Sequence, residues 1–191
     1  LRPRPERARD VAAPPYDVLN TEEARQRAAS KPYSFLHISK PEIDLPSKTN
    51  PFASEVYAKG AENLAKLVAE GVLIRDETPC YYVYRLKMGE HTQTGFVAVA
   101  SISAYDENRI RKHEFTRPEK EDDRVRQIDA LNAQTGPVLL AYKADKNVDE
   151  LLKGAASSAP LCEVTADDGI VHSVWTMNDS SAIEHLTRLV D

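Results

Sequence analysis

The feature that most constrains this chain is a polar block, Arg111-Lys112-His113-Glu114-Phe115-Thr116-Arg117-Pro118-Glu119-Lys120-Glu121-Asp122-Asp123-Arg124. It follows an apolar run, Gly95 to Ile102, that is too short for a membrane and has the length and composition of a central strand. Pro118 marks a helix start, because proline is tolerated where the first backbone N–H has no helical partner. The fold must therefore bring a strand end to a helix N-terminus, where outward N–H groups favour anions. The block is also the densest collection of chemically able side chains in the chain. Its spacing points to a phosphate-handling site without naming a reaction.

The rest of the chain mixes helix and strand signals without the regular alternation of a doubly wound sheet. The expected class is α+β, with a mixed, mainly antiparallel sheet flanked by helices. Pro14-Pro15 forces an extended path, then Asn20 and Glu23 form a capping box that starts a helix running to about Ser30. Residues 33–39 have the pattern of a buried strand and Lys40–Pro51 that of a loop. A helix is expected from Phe52 to Glu70, with Val56, Leu64, Leu67 and Val68 on one face and Gly71 just past its end. Strands are expected at Cys80–Lys87 and Thr92–Tyr105, with a hairpin turn at Gly89. A helix over 118–132 leads to a short buried strand, Val138–Tyr142. The remaining elements are a helix near 147–154, a strand near 161–165, a strand ending at Met177 and a helix from Ser180 to Val190. Gly154–Pro160 is the weakest stretch. These signals divide the chain into a main α+β domain, 1–143, which carries the polar site, and a smaller α/β extension, 144–191.

At 191 residues the chain is long enough for a proper core. Its net charge of −5 argues against a general nucleic-acid binder. No apolar run approaches the roughly 20 residues of a membrane span. Cys80 and Cys162 lie far apart without CxxC spacing, which fits inert thiols in a reduced, cytoplasmic protein. The start lacks both a Met and a signal-peptide core, and the chain reads as part of a longer protein.

Within the polar block, Glu114 has the chemistry of a general base and His113 that of a phosphate or hydroxyl partner. Arg117, Lys120 and Arg124 recur at helical spacing and can form one cationic face, arginine by forked bonds and lysine as a point charge. Lys112 and Thr116 extend the set. The same pattern also describes a salt-bridged exposed helix. Asp122 and Asp123 are the carboxylates placed to hold Mg2+, although adjacent helical residues diverge by about 100°, so only one faces a given ligand. Tyr16-Asp17, stiffened by the double proline, forms either a second wall of the pocket or a packed turn. His37, His91, His172 and His185 show no metal spacing. There is no GxxxxGK[ST], GxGxxG or GxSxG motif, so P-loop, Rossmann and hydrolase classes are disfavoured. Low aromatic content and the lack of an RNP-type motif disfavour an RNA platform.

Four blocks in order, Ala13-Pro14-Pro15-Tyr16-Asp17-Val18, Lys112-His113-Glu114-Phe115-Thr116, Lys120-Glu121-Asp122-Asp123-Arg124 and Thr135-Gly136-Pro137, with Glu70-Gly71-Val72-Leu73 between them, resemble the domain of unknown function 1015 family. The resemblance spans most of the chain and implies that it is the N-terminal half of a protein about twice as long. The family is distantly similar to the ParB/sulfiredoxin-like group, which includes free-serine kinases; the Gly-His-x-Arg box of that group is not found here. That likeness implies an ATP- or ADP-dependent small-molecule kinase acting with Mg2+, with free L-serine the first substrate to consider. Glu114 would be the base, and His113, Arg117 and Arg124 would neutralise phosphate charge. The alternatives are a non-catalytic nucleotide- or metabolite-binding regulatory module, and a DNA-linked ParB-like protein, which the acidic balance opposes. The expected partners are a nucleotide and a small-molecule substrate, with the oligomeric state open.

Overall fold

A computed structural model describes residues 1–113 and 115–190. The fold is α+β, with helices around two antiparallel sheets. The chain opens with β1 (Arg2–Pro3), a 3-10 turn at Pro5–Arg7 and α1 (Ala8–Val11). A second 3-10 turn, Tyr16–Val18, leads to α2 (Thr21–Ala28). The capping box expected there forms: Glu23 N–H donates to Asn20 Oδ1 at 2.9 Å, and Asn20 N–H donates to Glu23 Oε2 at 2.9 Å.

Residues 33–39 are not a strand. They turn into α3 (Leu36–Ser39), followed by a 3-10 turn at Pro41–Asp44 inside the segment expected to be a loop. The cause is local. A short apolar run fits a buried helical turn as well as a strand, and here Leu36 and Ile38 point into packed helices rather than across a ladder.

The long helix α4 (Ser54–Ala69) buries Val56, Tyr57, Leu64 and Leu67. Val68, expected on the same face, is exposed instead. The helix ends in a Schellman motif. Gly71 takes φ +68°, its N–H donates to Val68 O at 3.0 Å, and Val72 N–H donates to Leu67 O at 2.9 Å. This hands the chain to β2 (Leu73–Ile74), which pairs antiparallel with β1.

The main sheet starts with β3 (Tyr81–Met88) and β4 (His91–Val97), joined at Gly89, whose φ is +57°. The hairpin is as expected, but β4 is not a long central strand. It stops at Val97, lies at one edge of the sheet, and is followed by α5 (Ile102–Asp106). Ser101 causes the stop by capping α5, accepting from Ala104 N–H at 3.3 Å. The helix expected over 118–132 is α6 (Pro118–Leu131), ended by Asn132 in the left-handed region.

Val138–Tyr142 forms no strand and is exposed. Its apolar residues match a strand, but no ladder partner is engaged, so burial does not follow. After it come α7 (Lys146–Ala155), β5 (Cys162–Thr165), β6 (Val171–Met177) and α8 (Ser180–Val190). The four-stranded order is β4-β3-β6-β5, so the sheet takes two strands from each side of residue 143.

Two apolar cores result. In the helical part, Val11, Ile38, Leu64, Leu67, Val72 and Leu131 pack together. In the other, α7 and α8 cover one sheet face through Val83, Val148, Leu152, Trp175, Met177 and Leu186. The parts are tied where Arg2 forms an ion pair with Asp76 at 2.7 Å and Tyr82 donates its hydroxyl to the same carboxylate. No helix among the described residues is long and apolar enough to cross a membrane.

Candidate functional site

Helix α6 carries half of the polar block, and its C-terminal part is fixed to the helical core. Leu131 is buried there, and Gln127, 3% exposed, donates its Nε2–H to Ile38 O at 3.0 Å. At Gly60 the backbone of α4 comes so close that a Cβ would lie 3.3 Å from Leu131 Cδ1 and 3.1 Å from Pro41 Cγ. The small residue that weakens α4 as an isolated helix is thus what lets α6 pack against it.

One turn before Gln127, three separated parts of the chain meet. The Tyr57 hydroxyl on α4 donates to Asp123 Oδ1 at 2.9 Å. Arg124 Nη2 donates to Asp123 Oδ2 at 2.6 Å. The Arg124 guanidinium lies over the Tyr16 ring, 4.3 Å from its centroid. Burial, and then the bond to Asp123, push the Tyr57 phenol above its ordinary pKa, so it remains a donor at neutral pH. Arg124 is pinned on two sides, yet its side chain remains about a third exposed. A guanidinium held in this way has lost much of its rotamer freedom before any ligand arrives.

Of the residues singled out by sequence, the structure gathers Tyr16, Asp123 and Arg124. Asp17, next to Tyr16, is exposed. Arg117 caps α6 with an extended backbone and no side-chain capping bond, and Arg117 and Lys120 are exposed on the turns before Arg124. Among the described residues neither forms an ion pair, so of the cationic face expected at 117, 120 and 124 the first two positions are open to water, while Arg124 is paired with Asp123. Thr116 donates its hydroxyl to Glu121 Oε2 at 2.8 Å, holding the approach to the helix. Lys112 sits over the Tyr105 ring, 4.7 Å from its centroid, which ties the block back to α5. His113 is exposed. Glu114 lies outside the described residues.

Both oxygens of Asp123 are engaged, one by Tyr57 and one by Arg124. Asp122 is exposed and is the carboxylate of the pair still open to a cation. Among the described residues no three His, Cys, Asp or Glu side chains converge on a metal position. A Mg2+ ion held by one carboxylate, water and ligand phosphates fits Asp122. A dedicated protein cage does not fit.

Tyr57 was the residue that sequence reasoning missed. Its signal was present: a tyrosine on the apolar face of α4, one position from Val56, carries a hydroxyl that needs a partner when buried. Nothing local says that the partner is 66 residues away.

The site is thus an arginine clamped by an acid and an aromatic ring in the middle of a helix, on an α+β scaffold. The chain belongs to the DUF1015 family, described as proteins of unknown function, which matches residues 1–191. No curated protein and no solved structure matches it.

Proposed function

We propose that this protein binds the phosphate groups of a nucleotide on the Arg117, Lys120 and Arg124 face of α6. The observation that carries the proposal is the clamping of Arg124 by Asp123 at 2.6 Å and by the Tyr16 ring at 4.3 Å. A preset guanidinium presents its remaining donors to phosphate at low entropic cost, and two further cations lie on the preceding turns.

In its catalytic form the proposal is an ATP- or ADP-dependent kinase of a small hydroxyl compound, with L-serine as the first substrate to test. Glu114 takes the hydroxyl proton as the substrate oxygen bonds to the terminal phosphorus. The bond from that phosphorus to its bridging oxygen breaks, and the shortened nucleotide leaves. Arg117, Lys120 and Arg124 neutralise the charge that develops on the phosphoryl oxygens, which is most of what such catalysis requires. Mg2+, held by Asp122 and the nucleotide, would add to that neutralisation.

The second form is a nucleotide-binding regulatory module without turnover. The exposure of Lys112, His113, Arg117 and Lys120 favours it, since phosphoryl transfer needs water kept from the reacting group.

Phosphorus NMR of the protein with Mg2+, ATP or ADP, and L-serine separates the two forms. A phosphoserine resonance that disappears in Glu114→Gln supports the kinase. Intact nucleotide together with thermal stabilisation by ADP supports the binding module. Absence of both product and stabilisation by ATP or ADP rejects the site altogether.

A further inference from the structure

Two short segments, 97–100 and 138–142, are exposed along their whole length although rich in apolar residues. Val99 is 96% exposed, and across the chain Val138 and Leu139 are 74% and 87% exposed. These segments bracket α5, the polar block and α6. Among the described residues, 98–100 and 138–142 make no backbone hydrogen bonds, and the outer edge of β4 has no strand against it. One contact already joins the two segments: the Phe96 and Tyr142 rings are 6.1 Å apart.

We propose that residues 138–142, unpaired in this structure, pair antiparallel with residues 96–100 in solution, adding a fifth strand to the open edge of β4. The chain leaves the sheet along 97–101 and returns along 138–142, so the antiparallel sense follows from its course. Phe96 opposite Tyr142 sets the register, which puts Ala98 opposite Leu140 and Ala100 opposite Val138. Side chains alternate between faces along a strand. Tyr142, Leu140 and Val138 therefore fall on the Phe96 side, large residues against two alanines, next to the core that Phe96 joins. On the other face Val99 meets Leu139 and Val97 meets Ala141. The exposed Val97, Val99, Val138, Leu139, Leu140 and Tyr142 each gain a partner, and the unpaired edge is closed. The pair forms the neck of the excursion that carries the polar block. The inference stands whether or not that block binds phosphate.

Hydrogen exchange on the wild-type protein, without ligand, tests it directly. Alternate amides within 138–142 should exchange at least a hundredfold more slowly than the free peptide. A second test uses paired cysteines in a Cys80→Ser, Cys162→Ser background. Opposed residues of an antiparallel pair have Cα atoms about 4.5–5.5 Å apart, within disulfide range. Diamide should therefore link Ala98→Cys to Leu140→Cys, seen as the loss of two hydrogens by mass spectrometry. Ala100→Cys and Tyr142→Cys, four positions out of register, should remain reduced. Exchange at free-peptide rates, or equal cross-linking of the two pairs, overturns the proposal.

Discussion

The hydroxyl of Tyr57 reaches Asp123 Oδ1 at 2.9 Å, joining the first turn of α4 to the middle of α6. Through that bond a buried aromatic residue orients the carboxylate that in turn holds Arg124. The cationic face therefore depends on a residue that need never touch a ligand. Tyr57→Phe keeps the ring and removes the bond. The loss should lower stability by about 1–2 kcal/mol, since Asp123 keeps Arg124 as a partner. Urea unfolding gives the stability, and calorimetry with ADP should show weakened affinity, since Arg124 is less firmly set.

Arg124 itself distinguishes charge from shape. Arg124→Lys keeps the charge but loses the fork and the flat stack on Tyr16. Arg124→Ala loses both. ADP affinity should fall about tenfold or more in Arg124→Ala, the order expected for one charge-assisted hydrogen bond. Arg124→Lys should lie nearer to Arg124→Ala than to the wild type, as read by titration calorimetry at fixed salt. Equal affinity in all three proteins would remove Arg124 from the site.

Gly60→Ala sets helix propensity against packing. Propensity alone favours alanine by about 1 kcal/mol. The added Cβ would stand 3.1 Å from Pro41 Cγ, and a proline ring yields little. Overpacking of this kind costs about 1–3 kcal/mol, so the variant should be less stable than the wild type in urea. A more stable variant would show that α6 can retreat from α4 freely.

His37 and Asp44 make stability depend on pH. His37 Nδ1 lies 2.8 Å from Asp44 Oδ1, and its Nε2 lies 3.1 Å from Lys31 O, an arrangement that suits a doubly protonated ring. The hydrogen bond to Asp44 raises the His37 pKa above its ordinary 6.5, against the cost of burial. Burial opposes the charge on Asp44, but bonds from His37 and Asn63 outweigh it and take the Asp44 pKa below 3.8. The histidine contribution is complete below pH 6.5 and is lost as pH rises through the raised value. The aspartate contribution is complete above pH 3.8 and is lost as pH falls through the lowered value. Both are present near pH 5.5. Urea midpoints should thus fall between pH 5.5 and pH 8.5, and Asp44→Asn should flatten that fall.

The parts of the fold legible in the sequence were those set by local stereochemistry. Asn20 with Glu23, Gly71, Gly89 and Pro118 each placed an element end, because a cap, a left-handed turn or a proline leaves few alternatives. Residues 33–39 were not legible, since Leu36 and Ile38 are buried equally well by a helical turn or a strand. Val138–Tyr142, expected as a buried strand, is exposed and unpaired in the structure for a related reason: apolar content reports a wish for burial, not the partner that grants it. The same limit held at the site. Arg124 and Asp123 stood out by charge and spacing, and Tyr16 by its rigid setting. Their assembly around Tyr57 is a product of helix packing at Gly60, which no local pattern encodes.

Among the described residues, the ties of α6 to the helical core fall at or beyond Asp123: Tyr57 at Asp123, Tyr16 at Arg124, Ile38 at Gln127 and the core at Leu131. The six residues before Asp123 form an arm about 9 Å long, by the rise of an α-helix. The helix is a cantilever, with its root in the core and its cationic end in solvent. Force applied by an anion at Arg117 is delivered as torque at Asp123 and Arg124, against the Tyr57 phenol and the Tyr16 ring.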